Sequence, residues 1–495
     1  MIDLAGECLV GAQTFFRLPL AWWLGVPLLV YWFVVAVLLI MDDREPARTL
    51  TWLFVLMLLP ILGLFLFLFI GRDWKVITAR RSLRDHVMES VLVKMDPIYD
   101  RNAACAERFD ETYRGTAATG VATTIENQNR ARVLPARTLE IFATGAQKFA
   151  RLKEDLAAAS RFIHLEYFIW ERDKLTAEIT NILLDRLAAG VEVRIMYDFI
   201  GCITFGKSEL KRLAAAGAVV SADVTSAMKL NYRNHRKLVV IDGEIGYTGG
   251  MNMGQEYIDG GERFATWRDT HMRYTGQAVA ELQKLFAMRW LEDEHADLLR
   301  DEYLPAADGA GDGGVLTQTV AHTVEDPWEA SRRAHMTAIA GAQRRVRLQS
   351  PYFVPDQAVF ETLINAAQRG VEVELMMTGK VDKRLPFWAA QTYYRPLLTA
   401  GGRIFLYEAG FFHAKTIVVD SLFGAVGTMN MDTRSLRLHK ELMVWLYDEA
   451  KALEMERTFE ADLEHCREVT LMDVESVPAH VRFRNSFARL FSAQI

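Results

Sequence analysis

Two runs near the N-terminus contain no charged residue: residues 21–40 (AWWLGVPLLVYWFVVAVLLI) and 50–70 (LTWLFVLMLLPILGLFLFLFI). Each is long enough, as a helix, to cross a hydrocarbon layer of ~30 Å. Pro27 and Pro60 are tolerable in such a helix, because neighbouring groups re-satisfy the freed backbone. The polar stretch 41–49 (MDDREPART) reads as the turn between them. A transmembrane helical hairpin is therefore expected over residues 1–70, with helices at about 21–40 and 50–70. Asp3 and Glu7 precede the first run, where a cleaved signal peptide would carry basic residues. Trp22, Trp23, Tyr31, Trp32 and Phe33 suit membrane packing and interfacial anchoring. The turn holds Arg44 and Arg48, whereas Arg72, Lys75, Arg80, Arg81 and Arg84 follow the second run. That imbalance puts the large C-terminal part on the cytoplasmic side.

Beyond the hairpin, the apolar pattern occurs twice. The first copy runs HLEYFIW (164–170), a helical stretch, AAGVEVRIMYD (188–198), LKRLAAAGAVV (210–220) and NHRKLVVIDGEIGYTGGMN (234–252). The second runs LQSPYFVP (348–355), a helical stretch, QRGVEVELMM (368–377), LLTAGGRIFLY (397–407) and FHAKTIVVDSLFGAVGTMN (412–430). Short β-branched runs alternate with apolar residues at helical spacing, such as Ile182, Leu183, Leu184 and Leu187. This predicts an α/β fold of two similar lobes, each a mixed sheet with flanking helices. The expected divisions are a connector at 71–136, a first lobe at 137–305, a Gly-, Ala- and Asp-rich linker at 306–314 and a second lobe at 315–495. Within the connector, 103–132 is polar and shows no clear period.

Composition narrows the function. The net charge is 57 − 63 = −6, and 51% of the 495 residues are hydrophobic. An acidic chain is a poor general binder of nucleic acid, which requires basic surface against phosphates. Cys8, Cys105, Cys202 and Cys466 are far apart, as isolated thiols in a reducing compartment would be.

Both copies carry H-x-K-x4-D: His235, Lys237 and Asp242, then His413, Lys415 and Asp420. Each is followed by a small-residue turn and an asparagine, Asn252 and Asn430. Residues two apart on a strand share a face, so each His is expected beside its Lys. Asp242 and Asp420, at an odd offset, are expected to lock the turn by accepting backbone N–H bonds. If the lobes pack pseudo-symmetrically, two imidazoles, two ammoniums and two carboxamides meet in one pocket. That set suits phosphoryl chemistry: one imidazole attacks phosphorus, the other protonates the leaving oxygen, and the cations stabilise the phosphate oxygens. The lysines take the place of a divalent cation, and no H-E-x-x-H or acidic ligand cluster occurs, so neither metal nor cofactor is expected. The alternative is a metal held by His235, His271, His413 and His439. A neutral nucleophilic histidine needs an acceptor on its far nitrogen. Asp269 (WRD) and Glu441 (HKE) follow the two motifs at offsets of 34 and 28 and are the candidates. His164 has no counterpart in the other copy and is expected to be structural.

In these features the chain resembles the phospholipase D superfamily, and within it bacterial cardiolipin synthases with an N-terminal membrane hairpin. The likeness lies in NYRNHRKLVVIDGEIGYTGGMNMGQEY (231–257), WRDTH (267–271), PYFVPD (351–356), FFHAKTIVVD…VGTMNMDTRSLRL (411–438) and REPARTLTWLFVLMLLPILG (44–63). It implies a phosphatidyl transfer between two phosphatidylglycerols through a phosphatidyl-histidine, yielding cardiolipin and glycerol in the bacterial inner membrane. By the same analogy His235 is the nucleophile and His413 the acid and then base, with Lys237, Asp242, Lys415 and Asp420 completing the catalytic set. Lys237, Asn252, Lys415 and Asn430 would hold phosphate, and Asp269 and Glu441 would orient the histidines. The repeat neither requires nor forbids an oligomer. The competing readings are a hydrolase passing the intermediate to water, a transferase using another headgroup, and a non-catalytic lipid-binding scaffold. Two departures stand out: Arg172-Asp173-Lys174-Leu175 lacks the family's turn glycine, and Thr144-Gly145 replaces an acidic-Gly pair.

Overall fold

A computed structural model of the chain describes residues 20–41, 46–67, 78–202, 207–223, 232–292, 298, 300–306, 313–323, 326 and 328–492. Asp3, Glu7, Cys8, turn residues 42–45, Arg72, Lys75 and linker residues 307–312 lie outside them. The chain divides into two units, one of residues 1–76 with 226–230, the other of nearly all that follows.

In the first unit the first apolar run is one helix, Leu20–Ile40. The second is two helices, Pro46–Leu58 and Pro60–Leu66, rather than the single helix expected over 50–70. Pro60 has no N–H and its ring crowds the preceding turn, so it starts a new helix instead of continuing one. Gly63 sits against this break, where a β-carbon would lie 2.9 Å from the Val55 carbonyl oxygen. The Tyr31 hydroxyl donates to the Pro60 carbonyl at 2.9 Å and ties the two arms. Leu29, Phe33, Ile61 and Leu62 are each more than half exposed. The side chains of Leu20–Ile40 are described only from Gly25 onward. Among the described residues no helix is long and apolar enough to cross a membrane.

The second unit holds two large sheets. In chain order the strands are β1 (Leu134–Ala136), β2 (Thr138–Thr144), β3 (Phe162–Tyr167), β4 (Glu192–Asp198), β5 (Val219–Asp223), β6 (Leu238–Ile241), β7 (Ile245–Gly249), β8 (Trp267–Thr275), β9 (Val315–His322) and β10 (Arg345–Gln349). They continue with β11 (Phe353–Val354), β12 (Glu372–Thr378), β13 (Arg403–Tyr407), β14 (Phe411–Phe412), β15 (Thr416–Val419), β16 (Phe423–Gly427), β17 (Met431–Asp432), β18 (Glu441–Tyr447) and β19 (Cys466–Val469). The first lobe runs β2-β8-β7-β6-β3-β4-β5 and the second β9-β18-β16-β15-β10-β12-β13. Equivalent strands thus stand in the same order. They are parallel through β3-β4-β5 and β10-β12-β13 and antiparallel elsewhere. The chain is a duplicated mixed α/β fold.

The motif strands β6 (LVVI) and β15 (TIVV) are buried on both faces. Alternation sends their side chains into different cores. Leu238 and Val240 join Val418, Val426, Leu442 and Val444 in a core made by the inner faces of both sheets. Val239 and Ile241 turn the other way, onto the helices of the first lobe, and Ile417 and Val419 onto those of the second. The first lobe's helices begin where the sequence caps them. Asp173 accepts from Thr176 N–H at 2.9 Å and opens Lys174–Ala188 with a capping box, and the Thr144 hydroxyl caps Gly145–Ala158.

The connector is more ordered than its sequence promised. It forms helices Thr78–Arg101, Ala103–Tyr113 and Ala117–Asn129. Cys105, Phe109 and Tyr113 recur every four residues and enter the second lobe's core with Val121 and Ile125. That stripe is the period the polar composition hid. Val91, Met95 and Ile98 enter the inter-lobe core. β1 pairs with β9 in the second lobe's sheet, although β2, one residue further on, belongs to the first. Cys202 and Cys466 are free thiols, and Cys105 is buried. His164 is buried in the first lobe, with Nδ1 at 2.9 Å from Gln283 and its ring stacked on Phe286.

The motif aspartates lock a neighbouring strand rather than only their own turn. Asp242 accepts from the N–H groups of Ser160, Arg161 and Phe162 at 2.8, 2.7 and 2.9 Å. Asp420 accepts from those of Gln343, Arg344 and Arg345 at 2.9, 2.7 and 2.9 Å. Both adopt left-handed backbone, φ 53° and 54°, and Arg161 and Arg344 donate to their carbonyls. Each therefore pins the start of β3 or β10. Asp420→Ala would orphan three donors and is expected to cost about 2–4 kcal/mol. A thermal melt of the detergent-solubilised protein checks this, and an unchanged melting temperature would refute the lock.

Candidate active site

The motif histidines precede their strands, which begin at Leu238 and Thr416. Bonds from the other lobe hold them in place. His235 N–H donates to the Lys440 carbonyl at 2.9 Å, and His413 N–H to the Arg268 carbonyl at 2.7 Å. Parallel pairing continues on either side, Asn234 with Lys440 and β14 with β8. The residues after those two carbonyls are Glu441 and Asp269. His235 Nδ1 lies 2.9 and 3.0 Å from the Glu441 carboxylate oxygens, and His413 Nδ1 lies 2.7 Å from Asp269 Oδ2. Offsets along the chain match each carboxylate to the motif of its own copy; the structure exchanges them. Swapped strand ends carry each histidine to the other lobe's carboxylate.

With Nδ1 engaged, Nε2 of each ring is left for chemistry. Both rings line one cleft of about 850 Å³, together with Asn252 and Asn430. Lys237 and Lys415 lie buried beneath, each donating to the carbonyl of its own histidine, at 2.6 Å for Lys237. Asn252 accepts from Ile169 N–H at 3.2 Å and donates to the Tyr257 hydroxyl at 2.7 Å. Asn430 Oδ1 is buried without a partner. Asp242 and Asp420 bond at the starts of β3 and β10, a strand's length from their lysines.

Burial dominates the electrostatics. It pushes Lys237 down to about 7 and Lys415 to about 8. The Lys415 charge adds to the effect on Lys237, while Glu441 and Asp269 oppose it at both lysines. His235 is driven well below its ordinary value by burial, then by Lys237 and Lys415. His413 falls to about 4, with burial and Lys415 lowering it and Asp269 pulling it back. Both imidazoles are thus neutral near pH 7, and each holds a carboxylate that will stabilise its imidazolium.

The small-residue turns after each motif have distinct reasons. Gly250 crosses the Asp269 carboxylate, and a β-carbon there would lie 2.0 Å from Oδ1. The equivalent residue, Thr428, instead donates its hydroxyl to Glu441 Oε2 at 2.5 Å.

Several cleft residues carried no role in the sequence reading, and His439 carried only that of a ligand in the metal alternative. Arg233 forks onto Asp198 at 3.0 and 3.1 Å. Arg434 has a buried Nε without a partner and is depressed, by burial first and also by Arg233. Tyr352 donates to Asp382 at 2.8 Å. Glu256 is pushed up to about 7 by burial and by Glu171, Asp382 and Asp173. His439 stands beside His235, ring centroids 5.7 Å apart. The four histidines of the metal alternative do not gather; ligand atoms of His235, His439 and Glu441 come within 4.8 Å of one another. Lys237 and Lys415 charge that corner against a cation. Only the position of His439 in HKE could have pointed to it.

A family model described as "Cardiolipin synthase, PLD-like domain" matches residues 152–290 and 336–463, and one described as "Phospholipase_D-nuclease N-terminal" matches 28–72. The major cardiolipin synthase ClsA of Bacillus subtilis is 34% identical over 93% of this chain and 96% of its own. A cardiolipin synthase of Listeria monocytogenes is 33% identical over 96% of this chain and 99% of its own. A phosphatidylserine synthase from Haemophilus influenzae shares the fold at 12% identity, with a TM-score of 0.58 over 76% of this chain and all of that one.

Three expectations follow. Gly250→Ala will push Asp269 off His413 and lower kcat roughly tenfold or more with little change in melting temperature; unchanged kcat would refute the close approach. An anion in the cleft will favour charged lysines, so binding at pH 8 will take up protons. Calorimetry in buffers of different ionisation enthalpy reads this, and proton release would overturn it. The same depression makes folding stability rise with pH from about 7 to 10.5, where the unfolded chain binds more protons than the native one.

Proposed function

The chain belongs to the cardiolipin synthase family of phospholipase D-like proteins, and from that premise we propose that it joins two phosphatidylglycerols into cardiolipin. The observation that carries the reading is the pair of histidine–carboxylate couples, built from opposite lobes, that open onto one cleft above two buried lysines.

The neutral His235 Nε2 attacks phosphorus. Its Nδ1–H stays on Glu441, which stabilises the imidazolium character that develops. The phosphorus–oxygen bond to glycerol breaks, and His413, neutral in the empty cleft and charged by a proton taken up once the anionic phosphodiester offsets the lysines, gives that proton to the departing oxygen. Asp269 is the neighbour that pulls His413 upward against burial and Lys415, and the charge of a bound phosphodiester adds to that pull. A second phosphatidylglycerol then presents its terminal hydroxyl. His413 takes that proton, the new phosphorus–oxygen bond forms and the phosphorus–nitrogen bond breaks. Lys237, Lys415, Asn252 and Asn430 stabilise the equatorial oxygens of the five-coordinate phosphorus. Arg233 and Arg434 place cationic charge on the cleft wall for a phosphodiester. Asp242 and Asp420 act as positioning residues, keeping the motif strand in register.

The outward apolar side chains of the N-terminal helices support insertion of that segment in a bilayer, and the basic residues after it favour a cytoplasmic catalytic part. Lipid substrates then reach the cleft by lateral diffusion.

The full-length protein in phosphatidylglycerol vesicles, with chelator and without nucleotide, is expected to yield cardiolipin and glycerol in equal amounts. His235→Ala and His413→Ala should each lower that rate at least ~10³-fold. Phosphatidic acid without cardiolipin would make the protein a hydrolase. Activity lost to chelation and restored by zinc would turn His235, His439 and Glu441 into a working metal site.

A further inference from the structure

The C-terminal helix Ala479–Arg489 has one face that no side chain covers among the described residues. Phe483, Phe487 and Leu490 are 74%, 52% and 77% exposed, and Phe491 continues the row. The rings form a ladder, with Phe483 to Phe487 at 6.4 Å and Phe487 to Phe491 at 5.5 Å. The opposite face is fixed: Asn485 and Ala488 are buried, and Asn485 donates to Gln391 at 2.8 Å. The Arg484 guanidinium lies 4.6 Å from the Trp388 ring centre, and that of Arg489 4.8 Å from Tyr393. Residues 480–492 contain three arginines, Arg482, Arg484 and Arg489, and no Asp or Glu.

This helix packs on the helix Arg384–Ala390. The N-terminal end of that second helix is part of the cleft wall: Lys383, Arg384, Leu385 and Pro386 line the pocket that holds His235 and His413. The helix that bears the aromatic row therefore packs on the helix whose N-terminal end belongs to the cleft wall. Water is a poor environment for three adjacent exposed aromatic rings, and the helix that carries them is basic along its own length. An anionic bilayer accounts for both, taking the rings at the acyl boundary and Arg482 at the headgroups, while Arg484 and Arg489 hold the helix to Trp388 and Tyr393.

We propose that the helix Ala479–Arg489 is a second membrane-docking element, which lays Phe483, Phe487 and Leu490 into an anionic phospholipid surface and holds the cleft wall against it. This rests on reading the cleft as a phospholipid site. The docking is independent of the N-terminal apolar helices and acts on the lobes themselves. It sets how the active site meets the bilayer rather than whether the chain is anchored.

Hydrogen exchange on the full chain tests it, comparing nanodiscs of phosphatidylglycerol with detergent. Amides of residues 479–491 are expected to exchange at least ~tenfold more slowly in the discs, and the triple variant F483S/F487S/L490S should lose that protection. The variant's turnover of bilayer phosphatidylglycerol should fall about fivefold or more through KM, while monomeric short-chain phosphatidylglycerol is turned over within about twofold of wild type. Equal exchange in discs and detergent would overturn the proposal. So would protection that follows protein concentration instead of lipid, which would assign the face to a second copy of the chain. A wild-type protein inactive on both substrate forms would overturn the enzymatic reading, and the exchange data would still decide the docking.

Discussion

A hydrogen bond between a histidine of one lobe and a carboxylate of the other governs this architecture. His235 leans on Glu441 and His413 on Asp269. Neither lobe holds a complete couple. The inner faces of the two sheets must meet in the correct register before a single imidazole is oriented, and the core around Leu238, Val240, Val418 and Val444 supplies that register. The alternation of β6 and β15 then has a double purpose. One set of side chains holds the lobes together, and the other holds each motif to its own helices.

The site concentrates charge where water is scarce. Two ammoniums and two carboxylates lie buried within reach of one another's fields, and each histidine is kept neutral by the burial that also depresses the lysines. Such an arrangement is uncomfortable without a ligand and complete with one. Under the proposed reading, a phosphodiester adds the negative charge that restores the lysines. The fold offsets the strain through groups that take no part in bond making, chiefly Asp242 and Asp420, whose backbone bonds clamp the neighbouring strands.

Much of this was legible from local pattern. The apolar runs, the repeat and the two H-x-K-x4-D motifs depend on residues near one another in sequence, and they led to the duplicated mixed sheet. What stayed hidden depends on long-range geometry. The exchange of Asp269 and Glu441 follows from strand ends that cross between lobes, and an offset within one copy carries no trace of it. The break at Leu59 was written in Pro60, but apolar length outweighed it. The Cys105–Phe109–Tyr113 stripe was diluted by polar neighbours, though its spacing is that of an ordinary helix. Arg434 belongs to the cleft only because the second motif's return brings it there, with no spacing rule to announce it.

The pairing of β1 with β9 carries a cost in time. Leu134 aligns with Thr317, 317 − 134 = 183 residues later. His235 waits for Glu441, 206 residues on. At roughly 5–20 residues per second, ribosomal synthesis leaves those partners apart for about ten to forty seconds. During that interval an emerging first lobe has an unpaired edge and half of each catalytic couple. The nascent chain therefore cannot assemble both histidine–carboxylate couples until translation has passed Glu441.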